Sequence, residues 1–178
     1  MSEPSSPGFA STAAVIAALA LGGLMVLPRI SFSRDEAKAV PAPGFVLPVI
    51  HNGDPGSRLS LEDLKGSPVI LDFWATWCQP CAMQTPVLDR LARRHQARGL
   101  KVIGLNVADD EHDAAARYAQ TKGLSYPIIV DATGETQRRY AVTRLPSLVI
   151  IDREGRVVHQ TSGFVDEASL DRLLKDVL

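Results

Sequence analysis

The run Val69-Ile70-Leu71-Asp72-Phe73-Trp74 is apolar at every position except Asp72, and it leads through Ala75 and Thr76 into Trp77-Cys78-Gln79-Pro80-Cys81. A run this apolar predicts a strand buried on both faces. A helical segment follows from about Gln79 to Gln96, with Pro80 in its first turn, where a missing N–H removes no helical hydrogen bond. A doubly buried strand needs neighbours on both edges and cover on both faces. The order strand, C-x-x-C, helix therefore points to an α/β domain with a central sheet.

The same order carries chemistry. Cys78 falls at a helix N-terminus, where unpaired backbone N–H groups and the macrodipole favour negative charge. That lowers the thiolate pKa, and the thiolate is the nucleophile. Two intervening residues bring Cys81 one turn along, so Cys78 can attack a disulfide and Cys81 can resolve the mixed disulfide. These are the only two cysteines, so none remains for a structural bridge. A zinc site would need two more ligands, and His51, His95, His112 and His159 are scattered without a paired spacing. No metal is expected, and no cofactor beyond a redox-active Cys78–Cys81 disulfide. Two inert buried thiols would not call for Trp77 before them and Pro80 between them. The formal net charge of −1 gives no basic field for nucleic acid.

The flanking elements read as follows. Phe45 to Ile50 and Arg58 to Ser60 flank His51-Asn52-Gly53-Asp54-Pro55-Gly56, a hairpin tip. Ser60, with Asp63 three residues on, caps a short helix over Leu61 to Leu64. Pro86 lies inside the helix after the cysteines and should kink it. Lys101 to Val107 is predicted as a strand, Glu111 to Lys122 as a helix, Ile128 to Val130 as a short strand and Glu135 to Tyr140 as a brief helix. Ser147 to Ile151 and Arg156 to Thr161 form a hairpin across Asp152-Arg153-Glu154-Gly155. A last helix runs from about Asp166 to Val177, with Leu170, Leu173, Leu174 and Val177 as its buried stripe. The sheet is mixed, because alternating strands and helices give way to a closing hairpin.

Ahead of this domain, Phe9 to Leu27 carries no charge and approaches the roughly 20 residues of a membrane-spanning helix. It reads as an uncleaved anchor. A cleaved signal peptide is the alternative, but only Glu3 is charged before the apolar run, and Ala37-Lys38-Ala39 lies well beyond it. The chain thus divides into a tail and anchor at 1–30, a linker at 31–41 and a domain at 42–178. Arg29, Arg34 and Lys38 follow the apolar segment and no Lys or Arg precedes it, which favours a cytoplasmic domain.

Phe73-Trp74-Ala75-Thr76-Trp77-Cys78-Gln79-Pro80-Cys81 resembles the W-C-x-P-C active site of the thioredoxin fold. More closely, residues from about Ala42 to Leu178 are similar to the TlpA/ResA-like group of membrane-attached, extracytoplasmic bacterial thioredoxins. The lead-in Ala42-Pro43-Gly44-Phe45, then Leu47-Pro48, and the later Leu64-Lys65-Gly66 belong to the likeness, as does an insert over Asp109 to Lys122. The resemblance implies a thioredoxin fold with a mixed central sheet flanked by helices, an N-terminal β-hairpin extension and a central strand–helix insert. It implies that Pro146 is cis, and that Leu145 before it pairs with an extended substrate. It places Asp72 where thioredoxin has a buried acid that takes the proton of the resolving thiol. Trp77, Gln79 and Pro80 would complete the docking surface, with Trp74 and Trp77 shared between core and rim. Gln84 departs from relatives that carry Glu there.

The implied activity is reduction of protein disulfides outside the cytoplasm, against the charge pattern just described. Apocytochrome c is one such substrate, and a membrane electron donor would re-reduce the dithiol. We expect a monomer. Two other readings are weighed. A peroxiredoxin-like thiol peroxidase would want Thr or Ser where Ala75 stands; a thioredoxin-fold binding or chaperone module would leave the dithiol incidental.

Overall fold

The computed structural model describes residues 39–107 and 112–178. The expected anchor at Phe9 to Leu27, most of the linker, and Asp109 to Glu111 of the insert lie outside the described residues. In chain order the strands are β1 (Val40–Pro41), β2 (Val46–His51), β3 (Arg58–Ser60), β4 (Val69–Trp74), β5 (Lys101–Asn106), β6 (Ile128–Val130), β7 (Ser147–Ile151) and β8 (Arg156–Ser162). The helices are α1 (Gln79–His95), α2 (His112–Lys122), α3 (Glu135–Arg139) and α4 (Glu167–Leu174).

All six residues of β4 are buried, as its apolar run demands. The sheet order is β1-β8-β7-β4-β5-β6-β2-β3, which places β4 well inside. It pairs parallel with β5 and antiparallel with β7, so the sheet is mixed. Side chains alternate between faces along a strand. Ile70 and Trp74 face Leu88 and Leu91 of α1, Ala115 and Ala119 of α2, and Leu170 and Leu174 of α4. Val69, Leu71 and Phe73 face a second apolar layer with Phe45, Leu61, Leu64, Tyr140 and Val142.

Caps and turns follow their residue chemistry. Ser60 and Asp63 exchange bonds as expected: Ser60 N–H donates to Asp63 Oδ2 at 2.8 Å, and Asp63 N–H donates to Ser60 Oγ at 3.2 Å. In the β7–β8 turn, Asp152 Oδ1 accepts from the N–H groups of Glu154 and Arg156. These bonds and the Arg156 guanidinium hold the Asp152 carboxyl below its usual range, against the effect of its burial. Gly99 turns the chain between α1 and β5 with φ +85°, a conformation that glycine adopts without strain.

The structure adds three features. The β2–β3 hairpin does more than extend the domain, because β2 also pairs antiparallel with β6 and so continues the sheet. Val40–Pro41, within the segment read as linker, pairs with Val157 and Arg156 of β8. The final helix is shorter than its apolar stripe: it spans Glu167–Leu174, capped by Asp166, whose Oδ1 accepts from Ser169 N–H at 3.0 Å. Leu173 and Val177 are only partly buried against the core.

Candidate active site

Trp74 ends β4 and Gln79 begins α1, and the connection delivers both cysteines to the helix start. Cys78 is the N-cap of α1, with extended backbone (φ −81°, ψ 100°), and its Sγ accepts from Cys81 N–H at 3.2 Å. Cys78 and Cys81 form a disulfide with S–S 2.00 Å and Cα atoms 5.2 Å apart. After reduction, the same N–H and the positive helix end are placed to favour a Cys78 thiolate. Thr85 Oγ donates to the Cys81 carbonyl at 2.9 Å, which ties the second cysteine down inside the helix.

Asp72 is 1% exposed. It shares a strand face with Ile70 and Trp74, the face on which Cys78 and Cys81 join the apolar cluster. Across the sheet its register partners are Gly104 on β5 and Leu148 on β7, neither of which carries charge. A Cβ at Gly104 would lie 2.5 Å from Ile128 Cδ1, so no side chain fits opposite the acid there. Asp72 Oδ1 has no hydrogen-bond partner among the described residues. Burial alone pushes its carboxyl up to about 8.

A cavity of about 570 Å³ opens beside Cys78, within the usual size of a ligand cleft. Trp77, Cys78, Gln79 and Pro80 line one part, and Val107, Gln137, Thr143, Arg144 and Leu145 line the rest. The Leu145–Pro146 peptide is cis, as the resemblance implied. Trp77 is 60% exposed whereas Trp74 is buried against Tyr118, with ring centroids 5.2 Å apart. The expected Trp77, Gln79, Pro80 and Leu145 are thus brought together around Cys78. Cys81, Asp72 and Pro146 lie outside the lining. Cys78, 5% exposed, lines the cavity, while Cys81, 1% exposed, does not.

Sequence reasoning did not single out Val107, Gln137, Thr143 and Arg144 as lining residues. Thr143 and Arg144 were recoverable from their place just before Leu145-Pro146. Gln137 carries no local signal: its backbone N–H donates to Asp131 Oδ2 at 2.8 Å, a contact between β6 and α3 that only folding makes. Gln84, the departure from the resemblance, is fully buried. It donates through Nε2 to the Val165 carbonyl at 3.1 Å and accepts from Val165 N–H at 2.8 Å.

Residues 39–160 match the AhpC/TSA family. The thiol-disulfide oxidoreductase ResA of Bacillus cereus is 31% identical over 148 residues, which is 82% of this chain and 83% of that protein. ResA of Geobacillus kaustophilus is 29% identical over 93% of both chains. Among solved structures, a Chlorobium tepidum protein described as a DsbE-type thiol:disulfide interchange protein superposes with TM-score 0.71 and 32% identity. That likeness covers 78% of this chain and 96% of that one. The match over two thirds of the chain and these likenesses show that the chain belongs to the AhpC/TSA family, among the thiol–disulfide oxidoreductases of the ResA type.

Proposed function

We propose that this oxidoreductase is a membrane-anchored reductant of protein disulfides, with its catalytic domain outside the cytoplasm. The observation that carries the mechanism is the unequal access of the two sulfurs: Cys78 lines the cavity and Cys81 does not. In the reduced protein, the Cys78 thiolate attacks one sulfur of a substrate disulfide and expels the other as a thiolate. Asp72, in the fraction of molecules in which its carboxyl is ionised, takes the proton from the Cys81 thiol. The Cys81 thiolate then attacks Cys78 Sγ, releases the second substrate thiolate and closes the Cys78–Cys81 disulfide. Two electrons pass to the substrate, and a membrane electron donor returns two to the protein. The Leu145–Pro146 edge with Trp77, Gln79 and Pro80 docks the substrate chain. Proteins folding outside the cytoplasm, apocytochrome c among them, are the substrates that the likeness to ResA supports.

The test is insulin reduction with a small dithiol as electron source. Cys78→Ser is expected to lower the rate to that of the dithiol alone. Cys81→Ser is expected to accumulate mixed disulfides, which can be isolated from cells and identified. Equal rates for wild type and Cys78→Ser would sink the proposal. So would a set of trapped partners drawn only from the cytoplasm, or a reduction potential near that of strong oxidants.

A further inference from the structure

Charge in the cavity beside Cys78 is concentrated in one side chain. Among the described residues, Arg144 is the only one in the lining that is ionised at neutral pH; the others are apolar, neutral polar or the disulfide itself. Arg144 is exposed. Its backbone is held, because its carbonyl accepts from the buried Ser147 Oγ at 2.7 Å. Several other guanidinium groups are occupied: Arg58 on Val46 O, Arg139 on Gly44 O, Arg153 on Gly66 O, and Arg94 on Glu167 and Asp171. Among the described residues the Arg144 side chain meets no carbonyl and no carboxylate. The fold thus places a cation with no partner among the described residues on a fixed stretch of backbone, immediately before the Leu145–Pro146 edge and in the lining of the cavity that Cys78 also lines.

We propose that Arg144 is a specificity-determining residue that favours disulfide substrates carrying Asp or Glu close to the cysteine attacked by Cys78. An extended substrate rises about 3.3 Å per residue, so a guanidinium at this edge reaches side chains within about two residues of that cysteine. Carboxylates there gain a charge-assisted bond, and lysines there meet like charge. The inference rests on substrates docking in this cavity, as proposed above. The chemistry is unchanged: two electrons leave the Cys78–Cys81 dithiol, the substrate disulfide becomes two thiols, and the protein disulfide forms.

Two synthetic peptides with one internal disulfide each test this, identical except for Glu or Lys on both sides of the attacked cysteine. The full chain is reduced with dithiothreitol, freed of it, and mixed with each peptide while peptide thiols are followed. Wild type is expected to reduce the Glu peptide roughly two- to fivefold faster than the Lys peptide at low ionic strength, as for an exposed ion pair. The ratio should approach one at high salt. Arg144→Gln should bring it to about one at low salt, and Arg144→Glu should invert it. Equal handling of both peptides by wild type at low salt overturns this inference alone, as does a Glu preference surviving in Arg144→Glu. Failure to reduce either peptide overturns the docking reading along with it.

Discussion

At the residue scale, Asp72 is the most consequential single group. Its carboxyl is pushed up to about 8 by burial, against an ordinary value of 3.8. In the unfolded chain the group ionises near its ordinary value, whereas the folded protein keeps the proton until about pH 8. Between those values the folded state holds more protons, so stability falls as pH rises from about 4 to about 8 and levels off above. Asp72→Asn removes this liability. At pH 7 it should raise stability by about 1–4 kcal/mol, and the gain should shrink towards zero near pH 4. Denaturant midpoints of both proteins across pH 4–9 check this, and parallel curves would refute it. The same variant should slow resolution of the mixed disulfide by roughly 10²-fold, the scale of a lost general base, in single-turnover experiments. A stabler, slower protein is the combination expected of a strained functional group. The sequence marked Asp72 as the one polar residue of β4. Gly104 and Leu148 facing it became apparent only with the strand register.

At the scale of elements, the seating of α1 decides where the dithiol sits. Its apolar face buries Leu88 and Leu91, and α4 packs beside it through Leu170 and Leu174. Leu170→Ala should cost about 2–5 kcal/mol in denaturant unfolding, the usual range for a buried leucine. The packing is completed by a polar clamp, the two-way bond between Gln84 and the Val165 backbone just ahead of α4. An amide donates and accepts in that pair, whereas an ionised carboxylate can only accept. Gln84→Glu should leave a buried carbonyl without its donor and lower stability by about 1–3 kcal/mol, measured by thermal or urea unfolding above pH 6. An unchanged midpoint would show that the clamp contributes nothing. The stripe of α4 was readable from its spacing. The clamp was not, because its partners are 81 residues apart and one of them is backbone.

At the scale of the whole molecule, the open matter is where the domain is held. Among the described residues no helix is long and apolar enough to cross a membrane. The candidate anchor, Phe9 to Leu27, lies outside them. The full chain expressed in a bacterium should sediment with membranes and resist carbonate extraction, and a chain starting at Ala39 should be soluble. Recovery of the full chain in the soluble fraction without N-terminal cleavage would refute anchoring. Orientation is a sharper test, because Arg29, Arg34 and Lys38 pull against the proposed location. A reporter active only outside the cytoplasm, fused after Leu178, should be active. An inactive reporter would place the domain on the cytoplasmic side.

The sequence by itself determined the strand–dithiol–helix order, the two-faced burial of β4 and the β7–β8 hairpin. It also identified the two cysteines that pair in the disulfide. These depend on neighbours along the chain, whose periodicity and capping chemistry act locally. Tertiary structure alone decided that β2 continues the sheet through β6, that Val40–Pro41 closes its other edge on β8, and that Cys78 rather than Cys81 meets the cavity. It also gathered Gln137 and Arg144 beside the dithiol and left Asp72 facing a glycine and a leucine. The reason is physical. Pairing, access to solvent and the desolvation that displaces a carboxyl's proton affinity belong to groups far apart in the chain, and only burial and register bring them together.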